Sequence, residues 1–231
     1  MNKSIIVLTL SVIFSFAALA QDADQTFKAN SGFTTDVSFS PFNVSDELIK
    51  IESINVRYFM KPNLAVRVGL MADFYHDKYD NERTGSDNMV AGSSTFLFGI
   101  VPGIEYHFKG TNRLSPYIGA EVYFINFSAN AKAETNGNEF YKIKGATDVS
   151  ESSYENRAYS EFGLGAGAGF DYYFSKNIYI GAEFGYGFSY LAYGKVEETI
   201  DKVTTELTSG KQNAMRLGSN VRGSLKLGWK F

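Results

Sequence analysis

Chemistry has few places to start in this 231-residue chain. It has two histidines, His76 and His107, and no cysteine. Thiolate nucleophiles, disulfides and cysteine-held zinc are therefore excluded. His76 is followed by Asp77 and Lys78, and Ser93 and Ser94 lie beyond a polar stretch from which a hydroxyl would have to approach it. The acidic stretches 77–87 and 134–155 offer oxygen ligands, but their spacing matches no Asp-x-Asp-x-Asp-Gly calcium loop. Gly163 to Gly169 alternates glycine without opening a helix, so it is no dinucleotide fingerprint. No metal, no cofactor and no catalytic residue is expected.

The remaining chemistry is electrostatic. Asp73, Glu105, Glu121, Glu161, Asp171 and Glu183 share one phase of a two-residue alternation with Arg57, Arg67, Arg216, Arg222, Lys226 and Lys230. The other phase is apolar, and successive side chains of a strand point to opposite faces. If the charged face is enclosed, each charge needs a partner, because a lone buried charge is costly. Arg57 and Arg67 are predicted to face each other, with Glu105 and Glu121 as preferred partners across the interior. Glu183 is predicted to meet Lys226 or Arg222.

Eight strands are needed to carry these residues. The alternation places them at 33–40, 48–60, 64–75, 94–108, 114–127, 158–174, 178–193 and 214–231. Glycine at every second position from Gly163 to Gly169 argues against a helix there. The connections Lys61-Pro62-Asn63, Lys109 to Arg113 and Ser175-Lys176-Asn177 are short. Those at 76–93, 128–157 and 194–213 are long and polar, with 41–47 a shorter member of that class. Turn symmetry predicts Arg57 opposite Arg67, Gly103 opposite Gly119, Glu105 opposite Tyr117, Tyr173 opposite Tyr179, and Gly169 opposite Glu183.

Lys3, the apolar run Ile5 to Ala17 and Ala18-Leu19-Ala20 form a secretory signal peptide over 1–20, which leaves 21–231 as a single domain. Lys3 is the only ionisable side chain removed, so the mature chain moves from a net charge of −3 to −4, which does not suggest a nucleic-acid partner. An exported chain without disulfides must be held together another way, and a closed barrel's hydrogen-bond ladder does this. The outward phase holds no charge from Phe96 to Phe108, from Ile118 to Phe124, from Phe162 to Phe174 or from Ile178 to Phe188. A lysine or arginine facing lipid at mid-depth costs about 2–4 kcal/mol, so the charge-free face reads as lipid-facing. Tyr58, Tyr106, Phe108, Tyr172, Phe174, Trp229 and Phe231 end the descending strands on that face as an aromatic girdle. The inward glycines leave room for long side chains, and eight strands enclose an interior that side chains can fill. The expected fold is all-β, an eight-stranded antiparallel up-and-down transmembrane β-barrel with a polar, plugged lumen.

This layout, with the terminal run Leu225-Lys226-Leu227-Gly228-Trp229-Lys230-Phe231, resembles the small outer-membrane β-barrel proteins of the OmpA/OmpX type, including porin-like families of Gram-negative envelopes. The resemblance implies location in the outer membrane and contact with its lipid and lipopolysaccharide. It also implies transient engagement of the barrel-assembly machinery, which reads a terminal aromatic strand as its signal, here Leu225, Leu227, Trp229 and Phe231. The long loops would face outward and meet any external ligand. A structural or surface-interaction role is expected, with a narrow low-conductance channel for ions or small solutes as the alternative. A third reading is a lipid A-modifying barrel enzyme, against which stands the absence of the His-x-Ser arrangement of lipid A deacylase barrels at His76.

Overall fold

The structure is a computed structural model that describes residues 26–40, 50–81, 88–148, 157–207, 212–218 and 224–231. The expected signal peptide at 1–20, Arg222 and parts of each long loop lie outside the described residues. The strands are β1 (Gly32–Ser40), β2 (Lys50–Lys61), β3 (Leu64–Asn81), β4 (Met89–His107), β5 (Leu114–Thr135), β6 (Asn138–Lys144), β7 (Tyr159–Tyr173), β8 (Ile178–Tyr193), β9 (Glu197–Ile200), β10 (Val203–Glu206), β11 (Asn213–Gly218) and β12 (Ser224–Lys230). Eight of them form an antiparallel ring in the order β1, β2, β3, β4, β5, β7, β8, β12, and β12 pairs back onto β1. β11 continues the last strand along β8. The fold is the eight-stranded antiparallel β-barrel.

Its polarity is inverted relative to a soluble barrel. Phe162, Phe184 and Leu227 are 55%, 58% and 53% exposed on the outside, whereas Arg57 and Glu105 are 1% and 0% exposed inside. The apolar contacts inside sit mainly at the two ends of the lumen. At the turn end, Phe59, Ala65, Tyr173 and Tyr179 pack against Phe27 and Ala29, which precede β1 and tuck beneath the ring. This segment is tied down by Phe27 N and Lys28 N, which donate to Asn112 O at 2.9 and 3.2 Å, and by the Arg113 guanidinium 4.1 Å from the centre of the Phe27 ring. Toward the loop end, Val101, Tyr123 and Ile125 pack with Met71, Leu97 and Tyr159. Glycine makes these aromatic layers possible: a Cβ at Gly163 or Gly228 would overlap the ring of Tyr123 or Tyr179.

Register departs from expectation at one turn. Arg57 faces Arg67, Tyr173 faces Tyr179 and Gly169 faces Glu183 as predicted. Between β4 and β5, however, Gly103 faces Glu121 and Glu105 faces Gly119, while Tyr117 faces His107. The hairpin is centred one residue later than assumed, at Asn112, because Thr111 N donates to Leu114 O and Phe108 N to Pro116 O. Moving the centre by one residue moves every partner by two.

The long connections are also more ordered than polar loops. β3, β4 and β5 run on past the ring, and β6, β9 and β10 extend their sheet in the order β5, β6, β9, β10. Asn136 and Gly137, with φ of 50° and 77°, make the two-residue turn between β5 and β6; Asp201 and Lys202, at 46° and 70°, make the one between β9 and β10. Two consecutive positive φ values match the right-handed twist of a hairpin. Ile143, Ala146 and Val196 then bury a small core with Ala131, Tyr141 and Leu207. Burial, followed by the nearby Glu198, pushes the Tyr141 phenol above its ordinary pKa.

Candidate functional site

The middle of the lumen is an ion network to which all eight ring strands contribute. Arg57 on β2 is its lower hub. Its Nη1 donates to Asp171 Oδ2 at 2.6 Å, its Nε lies 2.8 Å from Glu105 Oε2, and its Nη2 lies 3.6 Å from Asp36 Oδ2. The rings of Tyr117, Phe59 and Tyr179 surround the guanidinium with centres at 5.4, 5.9 and 5.9 Å. The contact with Asp171 joins opposite walls, since β2 and β7 stand four places apart in the ring of eight.

Arg67 on β3 is the upper hub. Its two terminal nitrogens grip Glu183 at 2.6 and 2.9 Å, a fork that suits a carboxylate. The same nitrogens reach Glu105 Oε1 at 3.0 Å and Glu121 Oε2 at 2.5 Å. Lys226 donates to Glu183 and to the Tyr117 hydroxyl, which donates its own hydrogen to Glu183 at 2.7 Å. Glu105 joins the two hubs and also accepts from His107 Nε2 at 3.0 Å. A carboxylate only accepts, so Nε2 carries the proton and Nδ1 can accept from the Ser115 hydroxyl 2.9 Å away. Asp36 accepts from Asn55 Nδ2 at 2.7 Å and from the Tyr179 hydroxyl at 3.0 Å.

Of the twelve charges expected in the lumen, seven meet here: Arg57, Arg67, Glu105, Glu121, Asp171, Glu183 and Lys226. Four described ones do not. Asp73 and Arg216 keep the inward phase but are exposed at the loop end, Asp73 six residues beyond Arg67. Glu161 is half-buried near the same end, opposite Ile125 and Leu191. Lys230 lies at the turn end, where its Nζ donates to Phe27 O at 2.7 Å. Phase alone does not fix depth, and only charges in the middle of the strands can reach across. Arg222 lies outside the described residues.

The network also contains members that sequence reasoning missed. Asp36 alternates with the buried Thr34 and Ser38, so its inward phase was available from the sequence. Tyr117, His107 and Asn55 share the inward phase and supply hydrogen bonds rather than charge. Glu52 was not available, because strict alternation turns it outward. A register shift between Ser38 and Phe39 leaves it without a cross-strand partner, and it lines a lumen cavity of about 30 Å³ with Ser53 and Asn55. A second cavity of about 20 Å³ lies on the other side of Arg67.

Outside, Tyr58, Tyr106, Phe108, Phe174, Trp229 and Phe231 are exposed at the turn end, and Tyr172 is half-exposed beside them. Leu225 and Leu227 continue the outward face of β12. His76 is exposed and pairs with Ser94 across β3 and β4. Among the described residues, no group of three or more His, Cys, Asp or Glu has the geometry to hold a metal ion.

Residues 38–231 match the family described as "Putative OmpA-OmpF-like porin family". No curated protein sequence matches the chain. Among solved structures it is similar to the N-terminal β-barrel domain of Pseudomonas aeruginosa OprF, at 14% identity over 88% of this chain and 100% of that one, with a TM-score of 0.38. It is also similar to Neisserial surface protein A, at 18% identity over 88% and 100%, with a TM-score of 0.35. A third is Ail, the attachment invasion locus protein of Yersinia pestis, at 13% identity over 87% and 94%, with a TM-score of 0.31. A match over residues 38–231 takes in all but the start of the barrel, and with it the charged lumen and the apolar exterior. The chain belongs to the OmpA-OmpF-like porin family of outer-membrane β-barrels.

Proposed function

We propose that the protein is a non-enzymatic barrel with a structural or surface-interaction role in the outer membrane, its lumen held shut by the ion network. The observation that carries this reading is the join between the two hubs: Glu105 lies within 3.0 Å of both Arg57 and Arg67, in a ring of only eight strands. The cavities of about 20 and 30 Å³ beside Arg67 each suit one or two waters rather than a pore. Export by the 1–20 signal peptide, assembly through the Leu225, Leu227, Trp229 and Phe231 face, and turns on the periplasmic side complete the reading. Its partners are outer-membrane lipid and lipopolysaccharide, the assembly machinery in passing, and an external ligand at the loop end. The twelve steps from Phe162 to Phe174 rise about 30 Å along the membrane normal at a tilt of about 40°, enough for a hydrocarbon band flanked by aromatics.

Planar-bilayer recording of the purified full chain tests the closed lumen, with no steady openings expected. Steady openings in the unmodified protein would replace the plug with the second reading, a narrow channel. That reading is favoured by the two cavities, which share Arg67, Glu121 and Glu183 in their lining.

A further inference from the structure

At the loop end β5 changes partner. It pairs with β7 as far as Phe127 and with β6 from Asn130 onward. The parting strands leave a cavity of about 370 Å³ lined by Ser128, Asn130, Lys144, Ala158, Lys195 and Glu197. Its floor is tied together by Gly145 N donating to Ala129 O at 2.9 Å and by Ala158 N donating to Gly145 O at 2.8 Å. Gly145, at φ 88°, is required there, because a Cβ would overlap the Lys195 carbonyl.

The seam lies on the outside of the barrel. Ser128 and Asn130 share the phase of Val122 and Phe124, which are exposed on the apolar surface. Lys144 is directly across from Asn130, and Glu197 directly across from Lys144, so one outward row carries all three. In the next row Lys132 faces Lys142, two like charges in direct opposition, which disfavours pairing unless an anion lies near. Their own partners, Glu134 and Glu139 at 2.7 and 3.8 Å, are on the solvent-exposed surface, where ion pairs contribute little. Ser128 and Asn130 are four and six residues beyond Phe124. That is about 13–20 Å along the strand and about 10–15 Å along the membrane normal. Ser128, directly across from the exposed Phe96, therefore lies at the upper edge of the apolar band, and Asn130 with Lys144 stands above it, at the depth of sugars and phosphates.

We infer that this seam binds the phosphorylated sugar headgroup of an outer-leaflet glycolipid. Lys144 and Lys195, the latter beside Glu206 at 2.9 Å on the exposed surface, supply charge for the phosphate, Asn130 donates to its oxygens, and Glu197 accepts from sugar hydroxyls, while the Ser128 hydroxyl donates to Phe96 O. A bare phosphate would be repelled by Glu197, whereas a sugar phosphate uses both signs of charge. The inference rests on the outward face being the lipid face.

Native mass spectrometry of the full chain in detergent tests it, with bis-phosphorylated lipid A and dephosphorylated lipid A as probes. The unmodified protein is expected to retain the phosphorylated form preferentially. A Lys144→Ala/Lys195→Ala variant should lose that preference about tenfold. Lys109→Ala/Lys176→Ala, the same charge change at the turn end, should keep it. Equal retention of both lipids, an unaffected seam variant, or equal loss in both variants would overturn the inference. So would displacement by millimolar inorganic phosphate, which would mark a soluble-anion site. Heat-modifiable migration and insertion into liposomes, measured on the same samples, separate the two readings. A barrel that inserts without lipid discrimination refutes the seam alone, and a chain that does not insert refutes the membrane reading and the seam together.

Discussion

Arg57→Met and Asp171→Asn remove opposite members of one buried ion pair, and the structure predicts very unequal costs. Both side chains are essentially inaccessible, with exposures of 1% and 0%, so solvent screening does not blur the comparison. The network sets three cations, Arg57, Arg67 and Lys226, against five carboxylates, Asp36, Glu105, Glu121, Asp171 and Glu183. Removing Arg57 leaves Asp36 and Asp171 without their ion pair around an apolar side chain, and leaves Glu105 with Arg67 as its one arginine. Uncompensated buried charge of this kind costs about 3–5 kcal/mol. Asp171→Asn removes one of the surplus negative charges, keeps an oxygen facing Arg57, and leaves the guanidinium with Glu105 and Asp36. Its cost should be about 1 kcal/mol, the net value of an ordinary hydrogen bond. Urea unfolding in liposomes measures both, followed by fluorescence of Trp229, the single tryptophan, which is on the outer face away from the network. Asp171→Asn costing as much as Arg57→Met would refute the claim that surplus negative charge controls the network. So would Arg57→Met costing under about 1 kcal/mol, since the carboxylates would then not need their cation.

Three further outcomes follow from the same geometry. Arg67→Ala should join the cavities on either side of it and produce openings in planar bilayers that select for cations, because Glu52, Glu121 and Glu183 would then line the gap; reversal potentials under a salt gradient measure this. Gly228→Ala should destabilise by about 1–3 kcal/mol through overlap with Tyr179, read from the urea midpoint at unchanged slope. Phe27→Ala should loosen the segment beneath the ring at a cost of about 3 kcal/mol, with faster tryptic cleavage after Lys28 on protein whose barrel still migrates as folded.

The ring was readable from the sequence because a barrel wall obeys one simple rule, alternation, from Phe96 to Phe108 and from Phe162 to Phe174. Where a second rule intervened, the reading slipped. The β4–β5 hairpin is centred by the Thr111–Leu114 hydrogen bond, which alternation does not encode. Glu52 turns inward through a bulge. The extension strands lay in segments whose polarity resembles loop, although Asn136-Gly137 carried the hairpin signal. The lumen charges were visible as a set, and so were some pairs, Glu105 and Glu121 with the arginines and Lys226 with Glu183, but Asp171 and Asp36 at Arg57 and Glu183 at Arg67 were not. Arg57 finds Asp171 across the ring, and only the tilt and stagger of the strands decide which depths coincide.

The segment beneath the ring has a consequence for the order of assembly. Lys230 donates to the carbonyl of Phe27, 203 residues earlier, and β12 pairs with β1 beside it. The first strand therefore has its second neighbour only when the last one arrives, and the segment before it, already held by Asn112 and Arg113, gains its tie to Lys230 at the same moment. Contacts this distant in sequence make for slow folding. Through most of that time β1 presents an open edge to other chains. The rate of this last joining, rather than the strength of any one ion pair, sets how long the nascent chain needs protection.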